Sequence, residues 1–115
     1  MIMAAVVTLS SENFDAVVSS AELMIIDFYA DWCGPCRRFA PLFDRAADRH
    51  GDIGFGKVDI EAQPELKERF EITGVPTLVV MRGSAVVWRQ WGAFSNQQLE
   101  QLIAQAKAND FPTAA

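Results

Sequence analysis

An apolar run that stops at a pair of cysteines fixes most of what this chain can become. Leu23-Met24-Ile25-Ile26-Asp27-Phe28-Tyr29 is apolar on both faces of its alternation except for one carboxylate, and Trp32-Cys33-Gly34-Pro35-Cys36 follows two residues later. A strand with no polar face belongs at the centre of a sheet covered by helices on both sides. From Cys33 to about Arg49, Phe39, Leu42, Phe43, Ala46 and Ala47 recur at the spacing of one buried helical stripe. Pro41 inside that stripe removes a backbone hydrogen bond and predicts a kink. The only two cysteines among 115 residues therefore sit where a buried strand becomes a helix. Such a pair, in a chain with no mark of secretion, reads as a redox motif.

The rest of the chain punctuates itself. Val6-Val7-Thr8-Leu9 predicts a short first strand, with Ser10 or Ser11 capping a helix that carries Phe14, Val17 and Val18. Gly54 to Ile60 predicts a strand with Lys57 in its middle, and Pro64 opens a helix to about Phe70 that Gly74 ends. Thr77 to Met81 and Ala85 to Trp91 predict a hairpin about Arg82-Gly83-Ser84. Ser95-Asn96-Gln97-Gln98 is a capping box ahead of Leu99, Leu102, Ile103 and Ala106. The residues from Asn109 to Ala115 predict a frayed tail. This β-α-β-α-β-α-β-β-α order predicts one α/β domain over 1–115, its core at about 6–108. A mixed sheet of about five strands is flanked by about four helices.

Charge and composition exclude several functions. The formal net charge is −5 and no Lys/Arg cluster occurs, which argues against a nucleic-acid partner. No apolar run approaches the roughly 20 residues of a membrane helix. The opening Met1-Ile2-Met3-Ala4-Ala5-Val6-Val7 lacks the basic start of a signal peptide, so a reducing cytoplasm is the expected location.

The cysteines can support thiol–disulfide exchange, which needs an attacking thiolate and a second thiol to resolve the mixed disulfide. Cys33, at the first turn of a helix, meets the positive end of the macrodipole and free N–H groups, so it is the expected nucleophile. Cys36, one turn deeper and less accessible, is the expected resolving thiol. A fixed staple competes poorly, because a four-residue ring constrains the unfolded chain very little. Half a zinc site competes poorly too, since the chain offers two cysteines and one histidine for four ligands. That histidine, His50, falls at the far end of the predicted helix, about 25 Å from Cys33 at 1.5 Å per residue, and reads as an exposed terminal residue. With histidine excluded, Asp27 is the candidate base. A carboxyl in the middle of an apolar strand is desolvated, its pKa raised, and such a group near a cleft marks function. Nothing positive lies between the cysteines, so the thiolate is only modestly favoured and a reductant is expected.

The pentapeptide Trp32-Cys33-Gly34-Pro35-Cys36 resembles the active site of the thioredoxin family, and the resemblance runs from Val6 to about Ala108. It implies the thioredoxin fold and a reductant of disulfides in other proteins. That reductant binds no cofactor, relies on a redox-active Cys33–Cys36 disulfide, acts as a monomer, and is recharged by an NADPH-dependent thioredoxin reductase. It implies Asp27 as proton acceptor for Cys36 with Lys57 beside it, although the residues alone read equally as an exposed strand lysine. It implies a cis bond at Val75-Pro76, where the residues alone leave cis and trans even. It also implies an apolar rim of Trp32, Ile60, Val75, Pro76, Trp91 and Gly92 for docking client chains around Gly34-Pro35. Two positions depart from the family: Tyr29 stands where a Trp is common, and Trp91 replaces a small aliphatic. Trp91 is expected to enlarge the docking surface and narrow the range of partners, the alternative being that it packs inward beside Trp88.

Other classes stay in view. An isomerase or oxidase is disfavoured without a signal peptide or a His between the cysteines. A redox-inactive interaction or chaperone module would use the same surface with its thiols incidental.

Overall fold

The computed structural model describes residues 5–112. In chain order the elements are β1 (Val6–Thr8), α1 (Phe14–Ser20), β2 (Met24–Tyr29), α2 (Gly34–Arg49) and β3 (Gly54–Asp59). They continue with α3 (Pro64–Arg69), β4 (Thr77–Arg82), β5 (Ala85–Trp91) and α4 (Asn96–Lys107). The apolar run Met24–Tyr29 occupies the middle of a sheet ordered β1-β3-β2-β4-β5. β3 pairs with β1 and β2 in parallel, whereas β4 pairs with β2 and β5 antiparallel.

Period-two alternation along β2 sorts its side chains to two cores. Met24, Ile26 and Phe28 join Phe14, Val18, Leu66 and Phe70 on the side of α1 and α3. Leu23 and Ile25 join Phe39, Phe43, Phe55, Leu99 and Ile103 on the side of α2 and α4. The next residue in that second series is Asp27, so the same alternation that buries Ile25 turns a carboxyl toward α2.

Several boundaries differ from the sequence expectation. Cys33 is the N-cap of α2 and not its first residue, with an extended backbone (φ −86°, ψ 111°). Pro41 lies within a helix that runs through to Arg49. The first α-helix starts at Phe14, one turn after Ser10. Ser10 and Asn13 nevertheless bond reciprocally, each backbone N–H donating to the other's side-chain oxygen. α3 ends at Arg69, and Gly74 does not stop it. Glu71 adopts the left-handed conformation (φ 51°), and the Ile72 N–H reaches back to the Lys67 carbonyl at 3.0 Å. Arg89 of β5 holds that end by donating to the carbonyls of Phe70 (2.6 Å) and Glu71 (3.3 Å). A glutamate in a glycine's place is stabilised from another element, so no local signal gives it away.

The tail from Asn109 to Phe111 is not frayed. Asn109 closes α4 in the left-handed conformation (φ 53°), and the Phe111 ring stacks on Trp88 with centroids 6.1 Å apart. The remainder of the expected tail, Thr113 to Ala115, lies outside the described residues.

Candidate active site

The site forms where β2 hands the chain to α2. Cys33 and Cys36 are disulfide-bonded with Cα atoms 5.2 Å apart, the reach that a helix N-cap and its third residue provide. The Cys36 N–H donates to Cys33 Sγ at 3.2 Å, so a free end of the helix backbone points at the first sulfur. Pro35 sits in the first turn, where its missing N–H costs nothing, and Gly34 is half-buried beside it.

The two cysteines differ little in exposure, Cys36 being the less exposed. Cys33 is 5% exposed and Cys36 2%, and both pack into the α1–α3 core. What distinguishes them is their surroundings. Cys33 Sγ lies 3.7 Å from the carbonyl oxygen of Val75, which precedes Pro76 in a cis peptide. Cys36 lines a half-open cleft of about 210 Å³ together with Asp27, Lys57, Asp44 and Arg37.

Asp27 is buried, 4% exposed, and its Oδ1 has no hydrogen-bond partner. Desolvation raises its pKa from 3.8 to about 7; the nearby Lys57 ammonium opposes the rise and the Asp44 carboxylate adds to it. Lys57 is the register partner of Asp27 across the parallel β2–β3 pair and is half-buried. A neighbouring phenol responds in kind: burial, then Asp59, Asp31 and Asp27, push Tyr29 upward.

Of the residues expected to form an apolar rim, Trp32 and Trp91 are strongly exposed. Trp32 is 65% exposed and anchored by its indole N–H to Glu61 Oε1 at 2.7 Å. Trp91 is 69% exposed, so it does not pack inward; Trp88 takes that place, edge-on to Phe94. Ile60 and Pro76 are buried, the former at 8%. Val75 and Gly92 are half-buried, and the Gly92 N–H donates to the Pro76 carbonyl at 2.9 Å.

Two residues escaped the sequence reading. Asp44 follows Cys36 and Ala40 at i, i+4, i+8, and all three line the cavity; that spacing was there to be read. Gly74 has no sequence signal: a Cβ there would fall within 2.7 Å of Trp91 Cδ1, so the glycine leaves room for an indole from another strand. His50 is also corrected. It is half-buried at the end of α2, its Nε2 2.8 Å from Glu100 Oε1 and its Nδ1 2.8 Å from Lys107 Nζ, and it joins α2 to α4.

No helix among the described residues is long and apolar enough to cross a membrane. Comparison with known proteins identifies the family. The thioredoxin family model matches residues 5–105. A putative thioredoxin 2 of Streptomyces coelicolor is 45% identical over 108 residues, which covers 94% of this chain and 81% of that protein. Thioredoxin C-3 of Corynebacterium nephridii is 37% identical over 100 residues, covering 86% and 69%. The solved thioredoxin of Plasmodium falciparum superposes with a TM-score of 0.82 at 37% identity, covering 87% of this chain and 98% of that one. With a cysteine pair closed at the head of α2 and this sheet order, the chain belongs to the thioredoxin family and is a thiol–disulfide oxidoreductase that reduces protein disulfides through Cys33–Cys36.

Proposed function

We propose that Cys33 attacks, Cys36 resolves and Asp27 takes the proton of Cys36. Electrons come from an NADPH-dependent thioredoxin reductase in a reducing cytoplasm, and the protein acts as a monomer. The Cys33 thiolate displaces one sulfur of a client disulfide, forming a mixed disulfide and releasing a client thiolate. Asp27 accepts the Cys36 proton, and the Cys36 thiolate attacks Cys33 Sγ. That step closes the intramolecular disulfide and releases the second client thiolate. The N–H of Cys36, aimed at Cys33 Sγ, favours charge on the first sulfur and not on the second.

The observation that carries the assignment of the base is the shared cavity: a buried carboxyl with an unpartnered oxygen lines the same space as the resolving cysteine. Its pKa of about 7 matches a proton acceptor working near neutral pH. Lys57 lies near enough to oppose that rise, which supports its place beside the base. Client chains meet Trp32 and Trp91 across Gly34-Pro35, with the Val75 backbone beside the reacting sulfur and Ile60, Pro76 and Gly92 shaping the floor. An extended client segment pairing with Val75 fits β-augmentation.

Two experiments test this reading. After full reduction, alkylation at neutral pH followed by mass spectrometry should label Cys33 first; first labelling of Cys36 reverses the roles. Asp27→Asn should slow resolution of the mixed disulfide, by about a hundredfold if it acts as a direct proton acceptor, and remove the inflection near pH 7. An unchanged pH–rate profile would take Asp27 out of the mechanism.

A further inference from the structure

A proton taken by a buried carboxyl must pass back to Cys36 or out to water before the next turnover, and Asp27 is itself closed off from the surface. It faces a half-open cleft whose lining includes the exposed residues Asp31, Arg37, Ala40 and Asp44. The Arg37 guanidinium donates to the Asp31 carbonyl at 2.6 Å. A guanidinium cannot accept a proton. A second cleft, of about 280 Å³, is lined by Ala5, Val6, Asp48, Asp44 and Lys57. Asp44 and Lys57 line both spaces.

We propose that Asp44 is the carboxylate through which Asp27 exchanges its proton with solvent, at a mouth it shares with Lys57. This rests on the reading of Asp27 as the base. α2 is built for the task. Cys36, Ala40 and Asp44 form one stripe along it, so proton donor, small spacer and exit carboxylate lie in line along the cavity wall. Asp44 is exposed while Asp27 is buried, and the unpartnered Oδ1 of Asp27 needs a water or another mobile partner in a cavity with space for several. The charges around Asp27 are Lys57 from β3, Asp44 and Arg37 from α2, and Asp31 after β2, with the Tyr29 phenol from its own strand. Among these, Asp44 is the anion near enough to hold the Asp27 proton more tightly. The transfer balances: the Asp27 carboxyl gives its proton through water to the Asp44 carboxylate, which passes it to bulk water, and both end ionised. Lys57 remains a fixed counter-charge at the mouth.

The test follows the proton itself. Near pH 7 the protonated Asp27 carboxyl gives an infrared C=O band that disappears in Asp27→Asn, and a pH jump in weakly buffered solution yields its relaxation rate. Asp44→Asn should slow that relaxation about tenfold, less than the roughly hundredfold of a group acting directly on the reaction. A small buffer such as imidazole should restore it, and Asp44→Glu should relax like the parent protein. A parent-like rate in Asp44→Asn overturns the proposal, and so does a slowing that neither buffer nor Asp44→Glu relieves, because that would be altered packing. The relaxation reads proton exchange whether or not Asp27 serves Cys36, so this result and the pH–rate profile of Asp27→Asn fail separately.

Discussion

At the scale of single residues, Asp27 ties the stability of the fold to pH. An unfolded chain releases this proton near 3.8, whereas the folded one holds it to about 7. The folded state therefore carries the extra proton between those values, and its stability falls as pH rises through that window, then levels above it. At about 1.36 kcal/mol per pKa unit, the penalty at pH 8 is of order 4 kcal/mol. Asp27→Asn should accordingly raise the urea midpoint at pH 8 and lose that advantage toward pH 4; a gain that is the same at both pH values would place its cause elsewhere. Trp91 and Gly74 make a second residue-scale pair. Because a Cβ at Gly74 overlaps the indole, Gly74→Ala should displace Trp91. If Trp91 holds client chains, both Gly74→Ala and Trp91→Val should raise KM for a protein disulfide several-fold with kcat held. Unchanged KM for every client tested would assign Trp91 no part in docking.

At the scale of elements, the helices end by different means. α4 opens with a complete capping box: the Gln98 N–H donates to Ser95 Oγ at 3.1 Å and the Ser95 N–H to Gln98 Oε1 at 2.9 Å. Ser95→Ala should cost about 1 kcal/mol in denaturant unfolding, with activity retained because α4 lines no part of the cavity. α3 instead relies on Arg89 from β5 at its C-terminal end. Arg89→Ala should speed amide exchange at Ile72 several-fold while the exchange of β4 is unchanged. The capping box was legible because both partners lie within four residues of each other. The end of α3 was not, because the group that holds it arrives from 18 residues away.

At the scale of the whole molecule, one sheet separates two cores, and the proposed site takes parts from both. The cysteines belong to the α1–α3 side, while Asp27 follows Ile25 toward α2 and its aromatic cluster of Phe39, Phe43 and Phe55. Phe43 lines the Asp27 cavity and fills that core at once. Phe43→Ala should cost about 3–5 kcal/mol, a large part of the roughly 5–15 kcal/mol of a small domain. By admitting water it should also lower the Asp27 pKa, seen as a downward shift of the pH–rate inflection; a destabilised variant with an unmoved inflection would separate the two roles. The sequence by itself determined the strand, the cysteine pair, the helix after it and the misplaced carboxyl, since each is written in neighbouring residues or one hydrophobic period. Only the tertiary structure decided that both cysteines are buried, that Trp32 and Trp91 stay exposed, that His50 bridges α2 and α4, and that Asp44 shares the space of Asp27. Those facts depend on which side chains from distant strands and helices meet, and local periodicity does not encode such meetings.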